Sequence, residues 1–142
     1  MRDLDTISMA LTTAEMGALV FGTLHTTSAP KTVNRIIDVF PFEERNRIRA
    51  LLAEALTGVI AQQLVKTADG KGRVAVVEIL VTTAAISNTI REGKVEQVIS
   101  LMETGKKHGM QMLDEHLKQL VQQGVVTPSA ARTVATNKAL FR

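Results

Sequence analysis

Residues 19–28 read LVFGTLHTTS, an apolar run that turns polar at His25. The run is rich in strand-forming residues and has helical patterns on both sides, which is typical of a buried strand in a parallel sheet. In an open α/β sheet, polar residues just past the carboxyl end of a strand line the ligand crevice. We therefore expect a parallel strand over 19–25 and a ligand-facing polar segment directly after it.

Helical patterns flank this run on both sides. Before it, a stripe of apolar residues runs from Leu4 to Ala18, with Asp3 or Asp5 as the predicted cap. After it, Ser28 and Pro30 give a helix start signal, and Pro41 ends the pattern. A longer helix is predicted from the apolar positions Ile48, Leu51, Leu52, Ala55 and Leu56.

The second half of the chain changes character near residue 82. Residues 59–65 and 73–81 predict two strands, and the turn-rich stretch ADGKG between them predicts a hairpin. From Thr82 onward the pattern predicts four helices, the last beginning at Thr127-Pro128. We expect an α/β part over residues 1–82 and an all-helical part over residues 83–142.

Composition excludes several function classes. The 142 residues contain no Cys, which removes disulfides, zinc thiolates and cysteine nucleophiles. The net charge is +3, its positive residues are scattered, and there is no Trp or Tyr, so nucleic-acid binding is disfavoured. No apolar run approaches the roughly 20 residues of a membrane span. The simplest interpretation is a cytoplasmic protein.

The sequence offers no metal motif and no phosphate-binding loop. His108 and His116 are eight residues apart, too far along a helix to share a metal ion directly, and no HExxH motif is present. Lys71 lies between two glycines, but the GxxxxGK[ST] spacing is absent, so a hairpin turn accounts for this stretch. We expect no protein-ligated metal site.

Two residues allow competing interpretations. His25 is either an ordinary histidine at a strand end or a group that donates a hydrogen bond to a phosphate oxygen. The position of His25 after an apolar run and before three hydroxyl residues favours the second. Glu78 lies on an otherwise apolar strand, where a structurally paired carboxylate is favoured over a catalytic one.

Residues 13–29, TAEMGALVFGTLHTTSA, resemble the His box of the secretion and pilus motor ATPases. The opening MRDLDT resembles the segment that follows the Walker B strand in these proteins. The stretch IIDVFP at residues 36–41 and Gly109-Met110-Gln111 match as well. The resemblance covers nearly the whole chain, and its Met-Arg-Asp opening favours the type IV pilus retraction ATPases.

Residues 85–92, AISNTIRE, are similar to the retraction motif AIRNLIRE of these ATPases. Ser87 and Thr89 differ from the motif, and the matching residues are Ala85, Ile86, Asn88, Ile90, Arg91 and Glu92. The two departures leave an accessory retraction ATPase, a pilus assembly ATPase and a secretion ATPase open. A non-catalytic helical interaction module is the alternative from another class.

The resemblance implies the C-terminal portion of a RecA-like P-loop NTPase, with the Walker A loop and the Walker B glutamate upstream. It places His25 as the catalytic candidate near the γ-phosphate, with Arg2, Asp3 and Thr26 close to the nucleotide. The family implies a cytoplasmic homo-hexamer that uses ATP and Mg and works at the inner-membrane base of the pilus against a platform protein. It implies neither nucleic acid nor membrane insertion. Without its phosphate loop, this chain alone is expected to bind no ATP.

Overall fold

The computed structural model describes residues 3–142, most of which are helical. The α-helices are α1 (Leu4–Glu15), α2 (Ala29–Asp38), α3 (Arg45–Ala55), α4 (Ala84–Arg91), α5 (Val98–Thr104), α6 (Leu113–Gln122) and α7 (Pro128–Val134). Short 3-10 helices cover Phe42–Glu44, Val95–Gln97, Lys106–His108 and Lys138–Leu140. These bounds confirm the helices that the apolar stripes predict.

Side-chain caps fix the starts of four of the α-helices. In each case an oxygen of the residue before the helix accepts a hydrogen bond from a backbone N–H in the first turn, which satisfies a donor that the helix itself leaves unpaired. The capping residues are Asp3 for α1, Ser28 for α2, Thr83 for α4 and Thr127 for α7. All four lie where the sequence predicts a helix start.

The predicted hairpin is confirmed. Strands β1 (Gly58–Lys66) and β2 (Arg73–Val81) pair antiparallel, with Gly58 opposite Val81 and Lys66 opposite Arg73. At the turn, the Asp69 carboxylate accepts hydrogen bonds from the Thr67 hydroxyl at 2.6 Å and from the Lys71 N–H at 3.0 Å. This side chain closes the turn on its own backbone, as aspartate commonly does.

The predicted parallel strand over residues 19–25 is wrong for the described chain. No strand is assigned there, and the sheet found in residues 3–142 is the antiparallel pair β1–β2. Leu19 is 76% exposed and Phe21 is 89% exposed. A buried parallel strand needs a neighbouring strand on which to form its ladder. The two strands in the described chain pair with each other, so this segment has no partner strand.

The apolar residues pack as two clusters at opposite ends of the hairpin. The first cluster joins the inner faces of α1 to α5 to one end of the hairpin, through Val59 and Leu80. The second joins α6 and α7 to the other end, through Val65 and Val76. The hairpin is therefore the element common to both clusters, and the predicted division at residue 82 stays a prediction.

None of the helices over residues 3–142 has the length and apolar character that crossing a bilayer requires.

Candidate functional site

The polar segment after residue 25 is fastened to the start of α2. The Ser28 side chain caps the helix by accepting from the Lys31 N–H at 3.4 Å. The Thr32 hydroxyl donates to the Ser28 carbonyl at 2.9 Å. Because that bond uses the hydrogen of Thr32, the Thr26 hydroxyl is the donor in the 2.6 Å contact between the two threonines. Thr26 is thus held by the first turn of α2.

His25 lies directly before this fastened threonine, on the exposed side of the segment. The exposed His25 is thus joined directly to an anchored residue, which limits how far its backbone can move. The phosphate-contacting role stays a prediction. So does the predicted nearness of Thr26 to a nucleotide.

The other two predicted nucleotide residues are at the beginning of the chain. Arg2 lies outside the described residues. Asp3 caps α1, and its Oδ1 accepts from the Thr6 N–H at 2.9 Å. This hydrogen bond is the main reason that the pKa of Asp3 is lowered, so its exposed carboxylate is charged and committed to the helix start. A role for Asp3 beside a nucleotide stays a prediction.

The residues of the retraction-like motif divide between the core and the surface of α4. Ile86 and Ile90 are fully buried in the first apolar cluster. Asn88 and Arg91 are exposed, and the Arg91 guanidinium donates to Asn88 Oδ1 at 3.1 Å. The same guanidinium forms an ion pair of 3.6 Å with Glu54 on α3. The motif is therefore anchored by its isoleucines and tied to α3 by its arginine.

The remaining motif residues lie at the two ends of α4. Ala85 is exposed, and its carbonyl accepts from the hydroxyl of buried Thr89 at 2.8 Å. Glu92 pairs with Lys94 at 2.8 Å. This contact lowers the pKa of Glu92. Thr89, one of the two departures from the motif, thus pairs its polar atom within its own helix.

Glu78 is a buried carboxylate with a backbone partner, which confirms that it is paired, while the absence of a catalytic role stays a prediction. It is 6% exposed, and its Oε1 accepts from the Ala29 N–H at the start of α2, at 2.7 Å. Burial raises the pKa of Glu78, while the N–H groups of Ala29 and then Leu113 favour its charged form. Asp114 also raises this pKa, and Lys31 lowers it.

Of the hydrogen-bond and ion-pair partners described above, local sequence patterns indicate Thr32 and leave the others open. Thr32 had a local signal, because it lies four residues after Ser28, where a helical hydroxyl reaches a carbonyl one turn back. Glu54 had none, because its pairing with Arg91 depends on how α3 packs against α4. The same holds for the contact of Ala29 with Glu78, which are 49 residues apart.

Over residues 3–142 no group of three His, Asp or Glu side chains is placed to hold a metal ion.

A cavity of about 260 Å³ lies between the end of the hairpin and α7, lined by Leu64, Val65, Lys66, Arg73, Ala130 and Thr133. It includes none of the predicted nucleotide residues. The candidate site at exposed His25 and half-buried Thr26 is therefore separate from this cavity.

The chain is similar to proteins of a known family. The family model described as "Type II/IV secretion system protein" matches residues 1–137. A twitching motility protein of Neisseria gonorrhoeae is 56% identical over 137 residues, which are 96% of this chain and 37% of that protein. The type IV pilus retraction ATPase PilT of Pseudomonas aeruginosa is 55% identical over 135 residues, 95% of this chain and 39% of that protein.

The fold is similar to a solved motor. A crystal structure described as the pilus retraction motor PilT with bound ADP matches with a TM-score of 0.87 at 41% identity. The match covers 99% of this chain and 39% of that one. It confirms the predicted fold class, an α/β ATPase portion with a hairpin and helices. The chain spans less than two fifths of the length of these relatives.

Proposed function

This chain belongs to the family of type II/IV secretion system proteins, and from that membership we propose that it is the C-terminal part of a motor ATPase that retracts type IV pili. The observation that carries the proposal is its identity of 55–56%, over nearly its whole length, to a retraction ATPase and a twitching motility protein. By "the full-length motor" we mean the longer protein of which this chain would be a part.

In the full-length motor, His25 would contact the γ-phosphate of ATP. An imidazole N–H can donate to a phosphate oxygen and change partner when that oxygen leaves. Thr26, anchored on Thr32, would hold the backbone next to His25 in place. Arg2 and Asp3, at the beginning of the chain, would also lie near the nucleotide. The phosphates of the bound nucleotide and the Mg ion would supply the charges that these four residues orient and stabilise.

Most phosphate contacts and the metal ligands would come from outside this chain. The chain has no GxxxxGK[ST] loop, whose backbone N–H groups and lysine hold the phosphates in P-loop ATPases. Its described residues have no acidic cluster suited to a metal. We therefore propose that the 142 residues alone do not hydrolyse ATP. Tight Mg-dependent ATP binding by the isolated chain would contradict this.

The motif at residues 85–92 would couple ATP turnover to retraction. Buried Ile86 and Ile90 make α4 move with the core, while exposed Asn88 and Arg91 face outward on the same helix. A helix with one face in the core and one on the surface can transmit a conformational change in the core to a binding partner. The partner we propose is the platform protein at the base of the pilus.

We propose further that the full-length motor is a cytoplasmic homo-hexamer at the inner-membrane base of the pilus machine, without nucleic acid and without membrane insertion. Gel filtration with light scattering tests the assembly. A monomer in the presence of Mg-ATP would contradict it.

The test of the proposed function is His25→Ala in the full-length motor. We expect steady-state ATP turnover to fall by about tenfold or more, because one aimed donor to a developing charge is lost. Hexamer mass and circular dichroism are expected to stay unchanged. The matched control is His108→Ala, since His108 is also an exposed histidine but lies outside the predicted nucleotide residues. Equal turnover of the two variants would remove His25 from the mechanism.

A further inference from the structure

The starting observation is a carboxylate that joins three elements. Glu78 lies on β2 and is 6% exposed. Its Oε1 accepts from the N–H of Ala29, the first residue of α2, at 2.7 Å. The chain just before α6 is bonded to β2 beside Glu78, because Gln111 and Ile79 exchange two backbone hydrogen bonds of 2.9 Å. The N–H of Leu113, the first residue of α6, favours the charged form of this carboxylate. We call this group of Glu78, Ala29 and Leu113 the Glu78 clasp.

Both partners of the Glu78 clasp are helix starts. The first N–H groups of a helix have no partner within it and carry the positive end of the helix dipole. The 2.7 Å hydrogen bond from the Ala29 N–H and the favourable field of these helix starts offset part of the cost of burying the Glu78 carboxylate. The clasp therefore fixes where α2 and α6 begin relative to β2.

The start of α2 is also where the segment with His25 is fastened. The Thr26 hydroxyl donates to Thr32, and Thr32 donates to the Ser28 carbonyl within the first turn of α2. A continuous chain of hydrogen bonds and short backbone steps thus leads from Glu78 through Ala29 and Thr32 to Thr26. A displacement of the groups in the clasp would therefore move Thr26, the residue next to His25.

We propose that Glu78 is a positioning residue of the motor, holding the segment with His25 in register with the hairpin and with α6. The proposal rests on the proposed function, since it concerns the placement of His25. Glu78 acts through α2 and touches no substrate. Through Leu113 the clasp also ties the catalytic segment to the helical end of the chain, so a displacement of α6 reaches His25 by the same path.

The experiment compares Glu78→Gln with wild type in the full-length motor. Gln keeps the shape and one acceptor oxygen, but it carries no charge and its NH₂ group cannot accept a hydrogen bond, so the carboxylate's charge-assisted hold on the helix start is weakened. We expect hydrogen exchange to become faster in peptides that cover Ala29 or Leu113. Turnover per folded hexamer should fall by about tenfold with KM for ATP within about twofold, because misplacement of a catalytic group affects the chemical step. Glu103→Gln, at an exposed position of α5, is the matched control.

A second variant separates positioning from general loss of stability. Thr32→Val removes the hydroxyl that holds Thr26 and keeps the shape of the side chain. If both residues act on the placement of His25, the double variant should lose no more turnover than the worse single variant. The proposal would be overturned if the losses of turnover in the two single variants multiply in the double variant. It would also be overturned if turnover falls in parallel with the unfolding midpoint in all variants.

The outcomes also distinguish the clasp from the proposed function. Unchanged exchange at Ala29 and Leu113 in Glu78→Gln would overturn the clasp itself. Faster exchange with unchanged turnover, while His25→Ala is inactive, would overturn positioning and leave the proposed function standing. Full activity of His25→Ala would overturn the proposed function and the positioning role with it, whatever the exchange data show.

Discussion

At the scale of single residues, Glu78 places a carboxylate inside the fold against the starts of two helices. Burial raises its pKa above the ordinary value of 4.5, so the folded chain holds this proton more tightly than the unfolded chain does. The stabilisation of the fold by proton binding to Glu78 is fully present below the ordinary pKa. It is lost as the pH rises through the raised pKa. Above the raised pKa, where Glu78 is ionised, this contribution is absent, so the free energy of unfolding is lower there than at acid pH.

This sign gives a prediction for Glu78→Gln. Because a neutral amide has no ionisation cost, we expect the variant to be at least as stable as wild type at neutral pH. Its advantage should shrink as the pH falls towards 4.5. Urea unfolding at several pH values measures the difference, with Glu103→Gln as the control. A variant that is less stable at neutral pH than near pH 4.5, relative to wild type, would contradict the expected direction.

Gly105 is required for steric reasons, with an ordinary backbone conformation (φ −87°). A Cβ at this position would overlap Met110 Sδ and lie 2.9 Å from the Leu101 carbonyl oxygen. We predict that Gly105→Ala lowers the free energy of unfolding by about 1–3 kcal/mol through overpacking. Gly72→Ala is the control, because the atom nearest to a Cβ at that position, Thr67 Oγ1, is 3.8 Å away. Equal urea midpoints for the two variants would contradict the steric explanation.

Residue-level features were predictable from sequence where the cause is local. Asp3, Ser28 and Thr127 cap helices because their side chains reach N–H groups three residues ahead. The contact of Glu78 with Ala29 was not predictable, since it depends on the packing of β2 against α2. The sequence therefore indicated that Glu78 needs a partner and left the partner open.

At the scale of elements, α3 connects the two parts of the candidate site. It packs against α1, α2 and α4. Helix α1 is capped by Asp3, α2 follows the His25 segment, and α4 carries the retraction-like motif. The ion pair of Glu54 with Arg91 adds a polar link between α3 and α4. The predicted nucleotide residues and the motif thus lie on different elements with one helix between them.

The attachment of α6 to the hairpin gives a prediction at this scale. His116 Nδ1 accepts from the Val77 N–H at 3.1 Å, and Gln111 Nε2 donates to the Val77 carbonyl at 3.0 Å. His116→Leu leaves that N–H without its acceptor, so we expect the free energy of unfolding to fall by about 1–3 kcal/mol. The same substitution at exposed His108 should change it little. Urea unfolding of both variants decides, and equal losses would contradict the role of this hydrogen bond.

Element prediction succeeded for amphipathic helices and failed for the segment over residues 19–25. Helices such as α2 satisfy their own backbone, so a stripe with Val33, Ile36 and Ile37 and a cap are enough to predict them. A strand depends on a partner strand, which a local pattern does not reveal. The hairpin was predictable because both of its strands are joined by one short turn.

At the scale of the whole molecule, the hairpin joins two apolar clusters. One cluster supports the His25 segment and the motif helix, and the other holds α6 and α7. The Glu78 clasp lies between them, because its partners are the starts of α2 and α6. A relative movement of the two clusters in the proposed motor would therefore act on the Glu78 clasp.

Twitching by a chimeric motor tests the central claim most directly. In Pseudomonas aeruginosa lacking PilT, the introduced protein would be PilT with its matching 39% replaced by these 142 residues. The account predicts restored twitching zones, and their loss when the chimera carries His25→Ala but remains hexameric. A stable hexameric chimera that turns over ATP and restores no twitching, or one that twitches equally with His25→Ala, would contradict it.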